Sequence, residues 1–597
     1  MKRKILLIAL ISCAALILKS CANMAQGPTG GLKDETPPEF RRSSPPPNAV
    51  NVRQSKIEIE FNEYIILDNP TKNLVVSPTQ NQFPIAKGIG RKVTVELKDS
   101  LLENTTYTLD FGSSIMDNNE RNPLADFVFS FSTGPVIDTL KISGTVLNAE
   151  NLAPVSGIYA GVYTDLEDSV FITRKMDRVT RTSPNGNFIL RNLAEIPYRV
   201  YALDDINNNF FFDQRTEGIA VLEEIITPRI EIKVQKDTTN NDSMATRNEI
   251  RFLPDSLLLR FYREEDTRQF FIKGERNEPW RFTLYFKNFT KKLPEIMPVN
   301  FEGENWFLSE PSVTRDTLVY WIKDSLIFMQ DTLRFAIDYE KTNSLENLVP
   351  KRDTITLLYK EKALSRREKK ENENKTVFTK VIALPSVVEI YNKPVIEWEK
   401  PLMSFGKENI SLTVKKDTVW NDLDFAVEQD TQRNLRTYTI IANFEPEKEY
   451  KMQIDSASVT DIFGFHNNKI EAKFKIRSKE EYSNLFVSLK NAPEKAFVQL
   501  LDKSDKPVMQ STMVDGKVSF LFVKPGEYFL RLIDDRNENG RWDTGNFRKR
   551  IQPEQVFYYN QKIRLRVNWD VEEVWDVTSV PLQRQRPEEL NSKSSRK

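Results

Sequence analysis

At 597 residues the chain is too long for one hydrophobic core, so several domains of ordinary size are expected. Its 85 basic and 85 acidic residues cancel, which removes the electrostatic footprint of a nucleic-acid binder. Both cysteines, Cys13 and Cys21, sit near the N-terminus, and His466, inside the turn-like stretch Phe463–Asn468, is the only histidine. The bulk of the chain therefore has no disulfide, no thiol nucleophile and no thiolate metal site, and histidine-based catalysis or zinc binding would have to use one residue that reads as solvated.

The first residues read as a secretory signal. Lys2, Arg3 and Lys4 precede an apolar run from Ile5 to Leu18; a bilayer span asks for about 20 apolar residues, so cleavage is expected rather than retention. Leu18-Lys19-Ser20-Cys21 resembles the bacterial lipobox, in which an aliphatic residue and a small residue precede the cysteine that receives lipid. Lys19 departs from the small or apolar residue usual there, and Leu10–Cys13 fits the four positions better but leaves a very short apolar run. Cys21 is the expected lipidation site because a tether-like stretch rich in Gly, Pro, Thr and polar residues, Ala22–Pro38, begins there. The alternative is an ordinary cleaved signal. Ala22 is not the aspartate of an inner-membrane retention signal, and no acidic cluster follows; the resemblance implies an outer-membrane lipid anchor facing the periplasm.

From Pro37 to Asp576 strand signals dominate. Ile57–Phe61, Leu333–Tyr339 and Ile563–Trp569 alternate apolar and polar residues with a period of two, and clusters of Asn, Asp, Gly and Pro recur every strand or two. Long amphipathic helical patterns are scarce, which predicts antiparallel sandwiches. The polar stretch Gln235–Thr246 and the charged stretch Leu364–Lys375 read as connectors, and the polar, basic end from about Pro581 as disordered.

An internal repeat organises the middle and the end. Tyr198 followed by Leu203-Asp204-Asp205-Ile206-Asn207-Asn208-Asn209 recurs as Tyr528 followed by Ile533-Asp534-Asp535-Arg536-Asn537-Glu538-Asn539. The same shift carries the turn Asn185-Gly186 onto Asp515-Gly516, a pair of hairpin signals. A looser repeat relates Tyr107–Phe131 to Tyr450–Phe474.

Within the first repeat, Asp205, Asn207, Asn209 and Asp213, and again Asp535, Asn537, Asn539 and Asp543, have the alternating oxygen spacing of calcium loops. Calcium takes about six to eight oxygens, and a tight loop can present side chains from positions 1, 3, 5 and 9 on one concave side. Position 12 lacks its carboxylate, with Thr216 and Asn546 there, and Phe210 replaces glycine at position 6 of the first loop; Glu217 stands one residue late. The competing reading is a cluster of Asx turns that closes each loop without metal. Trp280, Trp306, Trp321, Trp398, Trp542, Trp569 and Trp575 would favour glycan binding if exposed in a row, but most lie on alternating strands and read as core; Trp542 lies in a loop. The carboxylates read as solvated strand faces rather than a glycosidase pair.

Thr36-Pro37-Pro38, Ser44-Pro45-Pro46, Ile57–Tyr64, Leu102–Tyr107 and Phe129–Gly134 together resemble the SbsA-type bacterial immunoglobulin-like domain, over about 100 residues. With the tether Gly27–Gly31, the chain resembles a group of envelope lipoproteins, which implies location and fold rather than a reaction. Residues 138–233 and 479–570 resemble prealbumin-like or carboxypeptidase-regulatory-like sandwiches, which imply spacers or scaffolds.

The expectation is an all-β chain of tandem β-sandwiches, immunoglobulin-like and prealbumin-like: signal 1–20, tether 21–35, sandwiches 36–137, 138–234, 248–360, 377–477 and 478–576, and a disordered tail 577–597. The expected role is a non-enzymatic scaffold or adaptor, anchored to the membrane and contacting envelope proteins or cell-wall glycan, with calcium as the one possible cofactor. The alternatives are a glycan- or peptidoglycan-binding lipoprotein and, after it, a carboxylate-dependent hydrolase.

Overall fold

A computed structural model describes residues 34–236, 246–360 and 378–591. The expected signal, Cys21, residues 22–33 of the tether, the charged connector 364–375 and the last six residues lie outside the described residues, as does most of the polar connector. Strands make up 47% of the chain and helices 5%, so the all-β reading holds. The chain divides into two compact units: one runs to Leu259 apart from Leu147–Pro154 and Gln214–Gly218, and the other takes those two segments with everything from Arg260 onward.

In the first unit, strands Phe40–Ser44, Lys56–Phe61, Lys92–Glu96 and Ile85–Ile89 form one sheet of the first sandwich, and Val75–Ser77, Thr106–Asp110 and Val128–Ser132 the facing one. The alternation works as the pleat requires. Ile57, Ile59 and Phe61 are fully buried, while Glu58 and Glu60 face outward. Tyr107 and Phe131 stack across the other sheet with centroids 5.2 Å apart, and the Tyr107 hydroxyl accepts the Leu102 amide at 2.8 Å.

The second sandwich has a seven-stranded sheet in the order Arg178–Arg181, Tyr159–Tyr163, Arg199–Leu203, Gly218–Val221, Leu257–Arg263, Leu140–Asn148, Asn187–Leu193. Its edge strand Arg178–Arg181 lies against Val75–Ser77 of the first sandwich, where the Ser77 hydroxyl donates to Val179 O and accepts from Val179 N, both at 2.9 Å. Asp110 sits at the same junction, accepting from Gly112 N at 2.9 Å and from the Thr180 hydroxyl at 3.3 Å. Burial holds its carboxyl above the ordinary range, against those hydrogen bonds and the charge of Arg191. The native state therefore holds this proton more tightly than the unfolded chain. The sign follows: the contribution to stability falls as pH rises from the ordinary aspartate value through the raised one. Asp110→Asn, which keeps an acceptor for Gly112 N, should raise the urea midpoint at neutral pH and lose that advantage in acid; a variant weakened at both pH values would show that the charge is used.

In the second unit, the third sandwich spans Phe271–Leu358, with Phe282, Trp306, Tyr320 and Phe335 at its centre, and the fourth spans Val381–Ile476 around Trp398, Ile440, Met452 and Phe474. The fourth repeats the first in detail. The Tyr450 hydroxyl accepts the Glu445 amide at 2.7 Å, and Tyr450 stacks on Phe474 at 5.3 Å, each residue standing at the same offset from its counterpart in the first sandwich.

The fifth sandwich puts Pro507–Thr512, Ala496–Leu501, Gly526–Asp534 and Val556–Tyr558 in one sheet and Lys517–Val523, Ser483–Lys490 and Asp570–Asp576 in the other. Strand for strand this is the order of the second sandwich, with Asp570–Asp576 in the place of Leu257–Arg263. The expected boundary is corrected accordingly. The second sandwich does not end at residue 234; its last strand is Leu257–Arg263, separated from the rest by the ribbon Arg229–Lys236 paired with Thr246–Leu253. That ribbon also takes in the two ends of the stretch read as a connector.

The disordered tail is corrected too. Residues 577–591 pack on the fifth sandwich: the Gln585 amide donates to Val577 O and Val580 O at 2.9 and 2.8 Å while its oxygen accepts Tyr558 N at 3.0 Å, and Leu590 is buried. Arg586 reaches Asp505 at 2.9 Å and the Tyr558 hydroxyl at 3.1 Å. A polar composition conceals such a segment because its Gln and Arg serve as partners for backbone and buried groups rather than for water.

Candidate functional site

The two Asp/Asn loops follow the strands Arg199–Leu203 and Gly526–Asp534 of the paired sandwiches, so the repeat places them equivalently. In the second loop the Asp535 carboxylate accepts Asn539 N at 3.0 Å and Gly540 N at 2.9 Å, and Asn539 donates through its amide to Asp543 Oδ2 at 2.6 Å, a second bond to that oxygen coming from Asn537. The first loop does the same with Asp205 on Asn209 N at 3.2 Å and Phe210 N at 2.8 Å, and with Asn207 and Asn209 on Asp213 at 3.1 and 2.8 Å. The structure thus brings together all eight residues singled out in the sequence, four in each loop. The amide N–H groups of each Asn pair converge on one carboxylate, the position a cation would take if both amides turned their oxygens inward.

Position 6 shows how the copies diverged. Its backbone is left-handed in both, with φ of 73° at Gly540 and 65° at Phe210. Glycine takes this at no steric cost and phenylalanine does not. Phe210 is kept there by its ring, which packs on Tyr159 at 5.0 Å.

The second loop has a partner that the motif spacing did not reveal. Glu554, 5% exposed, accepts Arg536 N and Asp543 N, each at 3.0 Å, and its backbone carbonyl accepts the Trp542 indole at 3.0 Å. Burial, with the charges of Asp543 and Asp535 beside it, holds its carboxyl above the ordinary range. It lies outside the twelve-residue window and ties the two ends of the loop together through their amides. Asn546, at that position, turns away to accept Lys549 N at 2.9 Å, and Glu217 is fully buried, accepting Gln214 N at 3.3 Å. Among the described residues, no three Asp, Glu, His or Cys side chains are grouped to hold a metal, so a cation at either loop would draw on the Asn oxygens.

The other sequence candidates are dispersed. Trp306, Trp321, Trp398 and Trp575 are core, and only Trp569, 54% exposed, presents a large face to solvent, so no tryptophan row forms among the described residues. His466 is exposed and meets the Thr460 hydroxyl at 3.0 Å.

A cleft of about 440 Å³ opens in the first unit between the Asn69–Lys72 turn with Phe83 and the first loop, where Tyr159, Arg181, Asp204, Asp205 and Asn208 form its other wall. The Arg181 guanidinium lies 4.2 Å over the Tyr159 ring and donates to its hydroxyl at 2.7 Å, while Arg181 Nε is buried without a hydrogen-bond partner.

Residues 34–133 match the family of bacterial Ig-like domains. No curated protein matches the chain. Among solved structures, the S-layer protein SbsC is similar at 12% identity over 84% of this chain and 65% of its own, with a TM-score of 0.13. The TIE protein of Bacillus anthracis is similar at 10% identity over 92% and 76%, with a TM-score of 0.12. The chain spans about two thirds of the S-layer structure it matches. The chain carries a bacterial Ig-like domain at residues 34–133 within tandem all-β sandwiches.

Proposed function

We propose that the chain is a non-enzymatic scaffold or adaptor of the bacterial envelope, anchored by lipid on Cys21 in the outer membrane and facing the periplasm, where it contacts other envelope proteins. The observation that carries the reading is the bacterial Ig-like match over residues 34–133, set in a chain that repeats its sandwiches rather than elaborating one around a deep site. Such domains hold a surface at a distance from an anchor, and their loop ends and edge strands offer the contacts. Calcium at the second loop, stiffening the fifth sandwich, belongs to the same reading.

Cys21→Ala should move the protein from the membrane fraction to the soluble periplasmic fraction. In-cell cross-linking of the wild type should return one envelope protein reproducibly, and the substitution should abolish that product. Retention of Cys21→Ala in the membrane fraction would overturn the anchor, and a cross-linking pattern of abundant neighbours alone would overturn the adaptor role.

A further inference from the structure

One edge of the fifth sandwich carries more positive charge than its one acid can neutralise. The strand Ile563–Leu565 pairs with Gly526, Glu527 and Tyr528 on one side and meets no other strand among the described residues. Ile563 and Leu565 are buried, so the pleat turns Lys562, Arg564 and Arg566 outward together, about 7 Å apart. Lys503 joins them. Arg564 Nη2, Lys503 Nζ and Lys562 Nζ lie 2.8, 3.0 and 3.5 Å from Glu527, a single carboxylate for three cations. Arg566 has no ion pair among the described residues; its guanidinium lies 5.1 Å over the exposed ring of Trp569, which positions it at the end of the row. Asp570 and Glu572, exposed on the strand Asp570–Asp576, belong to the facing sheet, whose outer side looks away from this one, so they do not neutralise the row.

The second sandwich shows what this edge lacks. One offset separates Glu217 from Glu554 and Ile226 from Ile563, and the bridge Tyr198–Ile226 answers to the pair Tyr528–Ile563. At that offset Ile225 and Thr227 stand where Lys562 and Arg564 do, and Pro228 where Leu565 does. Proline guards a strand edge because it has no N–H to offer an added strand. The fifth sandwich has charge in its place. A cationic edge repels a strand like itself and admits one whose outward residues are acidic.

We propose that the edge Ile563–Leu565 takes an added strand from an acidic extended segment of a partner protein, with carboxylates at alternate positions opposite Lys562, Arg564 and Arg566. This docking edge belongs to the adaptor reading, rests on it, and adds to it the chemistry of the partner.

Fluorescence anisotropy with the full-length lipoprotein in neutral detergent tests it, using a labelled Glu-Val-Glu-Ile-Glu peptide capped at both ends, its counterpart with lysine for glutamate, and a third with every backbone amide N-methylated, which keeps the charges and removes the backbone donors. Binding of the first peptide alone is expected. Arg566→Gln, which breaks no ion pair, should weaken it about threefold, and Arg564→Gln with Arg566→Gln about tenfold with the melting temperature followed alongside. Lys87→Glu, an exposed change on the edge strand Ile85–Ile89 of the first sandwich, should leave it unchanged. No binding of the acidic peptide would overturn the proposal, as would equal binding of the N-methylated one, binding that survives the double substitution, or displacement by inorganic phosphate at matched ionic strength. Any of these results with the in-cell cross-link still reproduced removes this docking edge and leaves the adaptor reading standing.

Discussion

Replacing Arg436 with methionine should destabilise the third and fourth sandwiches by about 3–5 kcal/mol, the cost of leaving a buried carboxylate without its cation. Arg436 precedes the strand Thr437–Ala442 of the fourth sandwich, and its Nε lies 3.2 Å from both oxygens of Glu310, which is 6% exposed on the strand Phe307–Pro311 of the third. Nη1 donates to Trp398 O at 2.8 Å, Nη2 lies 3.4 Å from Glu397, and the Trp321 indole donates to Glu310 at 3.1 Å. Without the guanidinium, Glu310 keeps only the indole among these partners. The double variant Glu310→Gln with Arg436→Met, in which the amide oxygen still accepts from Trp321, should recover about half of the loss. Hydrogen exchange in Thr317–Ile322 and Thr437–Ala442 is the direct readout, because a multidomain chain need not unfold in one step. A single variant costing less than about 1 kcal/mol would mean that the pair is screened as a surface pair is, and that the junction rests on packing instead.

Packing at this junction is substantial. Lys400 Nζ lies 3.8 Å from Asp461, 4.5 Å from the Phe465 ring and 4.8 Å from the Trp280 ring, so a cation of the fourth sandwich is enclosed partly by an aromatic of the third. A junction fastened by one buried and one partly buried cation resists hinging.

Neither cluster was legible in the sequence, because the partners stand far apart along it. Glu310 and Arg436 are separated by 126 positions and no short motif connects them. The strands themselves were legible, because a pleat that buries one face writes its period directly, as at Ile57, Ile59 and Phe61. The repeats were legible for a related reason. Tyr107 and Tyr450 each close the turn before their strand by accepting an amide five residues upstream, and Tyr198 accepts Ala194 N where Tyr528 donates to Lys524 O at the repeat offset. A side chain tied to its own local backbone survives duplication with its spacing intact.

Insertions and long-range partners break that link. The ribbon Arg229–Leu253 displaced the last strand of the second sandwich so far that Leu257–Arg263 read as the start of the next domain. Glu554 was missed because a carboxylate eleven positions beyond Asp543 follows no loop spacing. Tryptophans on alternating strands read as core, and Trp321 and Trp398 are so, yet each also borders the Glu310–Arg436 pair, a role that only the fold creates.

Calcium should raise the melting temperature of the fifth sandwich by roughly 10 °C, and excess chelator should reverse the gain. A cation at about 100 times its dissociation constant contributes about 2.7 kcal/mol to a domain of about 100 residues. The loop supplies the oxygens of Asp535, Asn537, Asn539 and Asp543, with the buried Glu554 beside them. Binding requires the two Asn amides to rotate and give up their bonds to Asp543, which a divalent cation at the same carboxylate replaces. Asp543→Ala should abolish the response to calcium, and Glu554→Gln, which keeps an acceptor but removes a charge, should weaken it. The first loop, with Phe210 in its turn, should respond less, so Asp213→Ala should leave most of the shift intact. The Asx-turn reading makes the opposite prediction. If Asp543 only closes the loop by accepting two amides, Asp543→Ala lowers the melt by the same amount with and without calcium, and chelator does nothing to the wild type. A melt of the wild type that is the same in calcium and in chelator therefore assigns the loop to hydrogen bonding alone and removes the cation from the scaffold reading.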